Sequence, residues 1–431
     1  MTDAMTNPHR SPGTAGPSVS PPAGHPTHQH ATALYGPRLQ NNPAQLYRDM
    51  RGQHGSVAPV LLEGDVPAWA VLGYRELLEV TGNPKLYARD SRRWNYWDHI
   101  PPDWPLLPIL IYQPSSLFAE GAEHQRRAGA VSDVLAAVDQ FELRKHCEQI
   151  ADHLIDTFAG RGEADLINQY ARPIPLLAIG WMLGLTETEA EDLVRDMYTM
   201  LDGGDDTHEA YQRILDGLRR LLDHRHENPG PDMPSRLLAH TETLTDDEIV
   251  SDLITLLGAG QQPTADWIGN TLRLMLTDDR FAVTLSGGRG SIGQALNEVL
   301  WVDTPTQNYP ARWAARDTQL GGQRIQTGDL LVLSYAAANA DPLVQPDSTA
   351  GAGGNHAHMS FSHGEHGCPY PARELAEIIA KTAVEVLLDR LPDVRLAVAP
   401  DALVWRPSML MRGLSALPVT FTSAYVHGDA G

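Results

Sequence analysis

The sequence predicts a mainly α-helical fold with small β-sheets (α+β), and three observations carry that expectation. Apolar residues return every three or four positions over long stretches, β-type runs are short and few, and no shift of composition divides the chain after its first residues. Apolar residues make up 42% of the 431, which suffices for a large core.

Residues 1–34 are rich in Pro, Ser, Thr, Gly and His and hold few large apolar side chains. Such a segment cannot bury enough surface to offset the entropy of ordering it, so a disordered tail is expected there, with residues 35–431 forming a single domain. His9, His25, His28 and His30 read as solvated tail residues. The stretch VAPVLLEGDVPAWAVLGY, from Val57 to Tyr74, reads as two β runs around a Glu63-Gly64-Asp65 turn. Helical periodicity follows in FELRKHCEQIADHLIDTFAG and PARELAEIIAKTAVEVLLDRL, and a second β signal comes late, in RIQTGDLLVLSY. Thr245 and Glu248 are spaced as a capping box, opening a long helix through IVSDLITLLGAGQQPTADWIGNTLRLML.

Lys and Arg total 33 against 54 Asp and Glu, a formal net charge of −21, which argues against a nucleic-acid binder. No run approaches the roughly 18 apolar residues of a membrane span, and the N-terminus lacks the order of a signal peptide. With only two cysteines, Cys147 and Cys368, a disulfide framework is excluded, and a cytoplasmic protein without membrane attachment is expected.

The most informative stretch is HMSFSHGEHGCPYPARELAEII, where a glycine-containing loop carries Cys368 to the start of an amphipathic helix. Pro369 and Pro371 suit a first helical turn, and backbone donors at a helix end favour an anionic sulfur. Gly364 and Gly367 allow a tight loop that a flat ligand could approach, and a thiolate in such a loop is a soft metal ligand. Cys147, inside a helix, reads as core.

Phe361, Gly364, His366 and Cys368 form a Phe-x-x-Gly-x-His-x-Cys pattern that resembles the haem-binding loop of the cytochrome P-450 family. The likeness extends over nearly the whole chain after the tail, through His124 ahead of Arg126, Arg312 in ARWAARDTQL, AAANADP with Asn339, Asp341 and Pro342, and RGLSALPV. It implies the single-domain P-450 fold, with haem b between the long central helix and the cysteine loop. By the same likeness Cys368 would be the iron ligand and Phe361 would pack beside it. His124, Arg312 and His366 would reach the haem propionates, and Gly364 would shape the loop. Ala128 stands where many members place another basic residue.

Three departures accompany the likeness. Where the family reads Ala-Gly-x-acid-Thr over the haem, with acid and alcohol relaying protons, this chain reads Ala259-Gly260-Gln261-Gln262-Pro263-Thr264. Gln262 cannot ionise, Pro263 deprives the Ala259 carbonyl of its helical donor, and Thr264, displaced by one position, is the candidate hydroxyl. Glu-x-x-Arg becomes Glu298-x-x-Trp301, as in some actinobacterial members, and no Arg or Lys occurs from Ile325 to Ala372. Glu298 is therefore expected to be neutral or bonded to backbone or indole N–H, because an unpaired buried carboxylate is costly. Tyr370, where the family prefers Gly, is expected to crowd the proximal face.

The resemblance implies a bacterial monooxygenase that places one oxygen atom from dioxygen into an apolar small molecule, taking electrons from a separate ferredoxin and reductase. The departures keep two alternatives open: peroxide-dependent or other non-standard haem-thiolate chemistry, and a non-catalytic haem-binding sensor or partner protein. Trp94, Trp97 and Trp104 read either as part of a substrate cover or as aromatic anchors.

Overall fold

A computed structural model describes residues 30–202, 206–282, 290–345 and 354–423. Its largest sheet has six strands: β1 (Thr32–Ala33), β2 (Val57–Leu62), β3 (Val66–Val71), β4 (Tyr87–Ala88), β5 (Tyr309–Ala314) and β6 (Leu330–Leu333), in the order β1-β2-β3-β6-β5-β4. β2 and β3 are the hairpin expected from the sequence, with Val57 opposite Val71 and Leu62 opposite Val66. Gly64 and Asp65 turn it at φ 78° and 59°, in the left-handed region that glycine enters freely and aspartate tolerates. β6 is the late β signal; it joins β3 in parallel and β5 antiparallel, so the two ends of the chain share one sheet. The register of β5 shifts between Pro310 and Arg312.

The expected tail boundary at residue 34 lies too late. Thr32 and Ala33 pair with Val60 and Leu61, and Leu34 is buried, because a short strand can be ordered by its partner without a hydrophobic run of its own. Residues 1–29 lie outside the described residues.

Helices form the rest of the core. α1 (Gly121–Ala136), α2 (Gln140–Asp156), α3 (Asp246–Thr277), α4 (Gly290–Val302) and α5 (Ala372–Arg390) position the site. α3 opens on the expected capping box, with Thr245 Oγ1 accepting from the Glu248 N–H and Glu248 accepting from the Thr245 N–H. It runs unbroken through Pro263 and is buried along most of its length. Leu253, Leu257 and Ile268 of α3, Cys147 and Ile150 of α2, and Leu375 and Ile379 of α5 share one hydrophobic cluster. Arg127 of α1 joins α3 through Asp252, Nε to Oδ2 at 3.0 Å, both side chains 1% exposed. Among the described residues no helix is long and apolar enough to cross a membrane.

Candidate active site

The cysteine loop is shaped by two glycines. Gly364 has φ +77°, and a Cβ there would stand 2.3 Å from the Thr81 carbonyl oxygen, so only glycine fits. The Gly367 N–H donates to Gly364 O at 3.0 Å and the Cys368 N–H to Phe361 O at 2.9 Å, folding the loop on itself. The Phe361 ring meets Trp267 of α3 edge-on at 5.8 Å, which ties the loop to the central helix. α5 begins at Ala372, four residues beyond Cys368 rather than at it. The expected pull of a helix end toward thiolate is absent: Cys368 is open on one side, yet burial of the remainder, with the charge of Glu374, pushes its thiol up to about 11. Coordination to a metal would displace that proton.

Around the loop the fold gathers nitrogen donors from four separate segments. His124 of α1 and His366 of the loop face each other with ring centroids 3.9 Å apart. Arg312 comes from β5 and is 1% exposed, while Arg89 follows directly on β4 and is 3% exposed. His124 Nδ1, His366 Nε2 and Arg312 Nε and Nη2 are buried without a hydrogen-bond partner, the Glu365 carboxylate standing 3.5 Å from His366 Nε2. The positive environment is visible in the side chains themselves. Burial and then Arg89 push the Arg312 guanidinium down to about 9, and burial followed by Arg89, His124 and Arg312 pushes His366 down to about 2. Buried donors without acceptors are costly, so this arrangement suits an anionic group brought in by a ligand. The propionate edge of a haem meets that requirement.

The middle of α3 supplies the opposite side. Gly258 and Ala259 are exposed within a helix that is otherwise mostly buried, and a Cβ on Gly260 would stand 3.0 Å from Ile179 Cδ1. Pro263 carries no N–H, which leaves the Ala259 carbonyl without an i+4 donor. Gln262 and Thr264 are buried, and Gln262 Nε2 donates to Asp266 Oδ1 at 3.0 Å. An acid thus stands one turn beyond the position where the sequence lacks one.

No protein-family model matches the chain, but whole-length relatives do. The vitamin D(3) 25-hydroxylase of Pseudonocardia autotrophica is 30% identical over 410 residues, covering 91% of this chain and 97% of its own length. The chain belongs to the cytochrome P450 family. Cytochrome P450 107B1 of Saccharopolyspora erythraea is 29% identical over 391 residues, covering 89% of this chain and 93% of its own. The solved structure of CYP154C4 from Streptomyces sp. ATCC 11861 superposes with a TM-score of 0.81 at 25% identity, over 91% of this chain and 98% of that one. As a P450 of the bacterial type the protein is a monooxygenase with a haem-iron cofactor.

Several expectations for this P450 need correction. The Trp301 indole donates to Asn355 O at 2.8 Å and not to Glu298, and Asn297 Nδ2 donates to the same oxygen at 3.0 Å. Glu298 instead meets Arg280, Nη2 to Oε1 at 3.6 Å, a cation supplied from the turn after α3 that the motif spacing does not reveal. Tyr370 is 71% exposed, so it does not crowd the loop's interior. Trp94 and Trp104 are buried, and the Trp94 ring meets Trp97 edge-on at 4.9 Å and Trp104 at a tilt at 5.8 Å. The Trp97 and Trp104 indoles bond Ser91 O and Glu63 O, so these residues act as anchors for the segment. Asn339 holds the loop's start by accepting the Met359 N–H at 2.7 Å. Arg126, one position from Arg127, turns outward to Glu248. Sequence reasoning missed Arg89 and Asp266 as members of the site; Arg89 stands among Lys85, Asp90, Arg92 and Arg93, where nothing local singles it out.

Proposed function

We propose that Cys368 is the thiolate ligand of a haem b, and that this P450 inserts one oxygen atom from dioxygen into an apolar small molecule with electrons from a separate ferredoxin and reductase. The observation that carries the assignment is the set of buried, unpartnered donors on His124, Arg312 and His366 beside the glycine-shaped loop that bears Cys368. On this reading residues 35–431, preceded by the strand at Thr32–Ala33, act as one haem-thiolate domain. A cytoplasmic location accords with two unpaired cysteines and the acidic composition.

Thiolate-ligated haem iron supplies dioxygen binding and O–O cleavage. The chain's own residues do the rest. Phe361 ties the loop to α3 through Trp267, and the Cys368 N–H is already committed to Phe361 O. Arg312, His124 and His366 orient the propionate edge. By the family likeness Ala259 and Gly260 would face the haem from α3, where their small side chains leave room for substrate and the Ala259 carbonyl lacks its i+4 amide donor. Gln262 positions its amide against Asp266, and Thr264 is the hydroxyl on the same helix.

The test is the absorption spectrum of the reduced protein with carbon monoxide, with Cys368→Ser measured alongside. A thiolate-type band present in the wild type and absent from the variant is expected. Failure of the wild-type protein to bind haem would sink the assignment.

A further inference from the structure

Arg89 is the member of the donor cluster to which neither the loop pattern nor the family likeness points. Its main-chain N–H donates to Glu120 Oε1 at 2.9 Å, its Nε to Leu117 O at 2.8 Å and its Nη1 to Ala311 O at 2.9 Å. The guanidinium is therefore fixed in orientation before any ligand arrives. Arg312 Nη1 donates to the same Ala311 oxygen, also at 2.9 Å, so the two nitrogens are no further apart than twice that distance. Among the described residues no carboxylate bonds either guanidinium; their side-chain partners are main-chain carbonyls. Two like charges held this close in a buried place repel, and the arrangement becomes favourable when a shared anion enters.

One turn after His124, α1 carries Ala128, which supplies no cation. We propose that Arg89, presented from the end of β4, replaces the missing α1 cation and binds a haem propionate together with Arg312. This rests on the haem reading above. Arginine suits the position because its planar fork can keep two bonds to the protein and still present an N–H edge to a carboxylate.

The test is haem retention by the full chain, read as the rate of haem transfer to excess apomyoglobin, for wild type and Arg89→Gln. Glutamine can still donate to one carbonyl but carries no charge. Haem loss at least tenfold faster is expected, together with a reduction equilibrium shifted toward the ferric state by threefold or more, because a cation near the haem favours the reduced form. A transfer rate and reduction equilibrium equal to the wild type's would overturn the proposal. If the Gln variant does not fold, Arg89→Lys is reconstituted with haem and with haem dimethyl ester, whose carboxylates are masked. The ester-to-haem ratio of loss rates should fall at least threefold below the wild-type ratio, and an unchanged ratio overturns the proposal. A wild-type protein that holds haem without a thiolate band would reject Cys368 as ligand and leave the Arg89 result to stand or fall on transfer alone.

Discussion

Gln262 and Asp266 are joined across one turn of α3, Nε2 to Oδ1 at 3.0 Å, and Arg406 from the C-terminal part of the chain closes on the same oxygen. Asp266 Oδ2 is buried with no partner. A Cβ on Gly413 would stand 2.1 Å from Asp266 Oδ1, so the approach of that segment to the acid depends on glycine.

Burial drives the Asp266 carboxyl up to about 6 from an ordinary 3.8, against the opposing pull of Arg406 and Gln262. A folded-state pKa above the unfolded one stabilises the fold below pH 3.8 and loses that contribution as pH rises through about 6. The gap corresponds to about 3 kcal/mol. Melting temperatures of wild type and Asp266→Asn between pH 4 and 7.5 should converge at the acid end, with the wild type falling behind as pH rises. Parallel curves would contradict the assignment.

Arg127 and Asp252 form a buried pair in which the Asp252 carboxylate also accepts the Ser116 N–H at 2.7 Å. Asp252→Ala strands the guanidinium and should lower stability by about 3–5 kcal/mol, whereas Arg127→Met with Asp252→Leu should cost much less. Denaturant midpoints of the three variants decide this, and a double variant as unstable as the single one would refute it.

Gly364→Ala places a methyl against the Thr81 carbonyl at a positive φ, and at least about 2 kcal/mol of destabilisation is expected. Because the loop bears Cys368, haem content per chain should fall in parallel with the melting temperature. A variant that keeps both would show the loop to be more yielding than its contacts imply.

Restoring the family residue by Trp301→Arg should not rescue anything. Glu298 already faces Arg280, and the indole bond to Asn355 O would be lost. Trp301→Phe, which removes that bond and leaves a small cavity, should cost about 2–3 kcal/mol, and the Arg variant more. Thermal unfolding of both checks the order.

Local patterns carried much of this structure in advance. The β2–β3 hairpin, the Thr245–Glu248 capping box and the cysteine loop each depend on residues close together in sequence, so their chemistry is legible from spacing. What spacing could not show are partners brought together by packing. Arg89 meets Ala311 across 222 positions, Arg406 meets Asp266 across 140, and Glu298 finds its cation in Arg280 on a neighbouring turn. The tryptophans were readable as large apolar rings, but only the fold decides that Trp94 and Trp104 face inward to each other. Burial and the charge of Glu374 push the Cys368 thiol up, an effect that sequence, which does not report solvent access, could not show.

Pro263 has one more effect, on timing. In a helix whose amides are all present, a gap beside the substrate must open and close, and its population then varies with temperature, occupancy and the state of the metal. Here the missing hydrogen is a covalent property of residue 263, so no closed form exists for the turn at Ala259 to return to. The missing i+4 donor to the Ala259 carbonyl is thus a constant of the chain that neither temperature nor occupancy can restore.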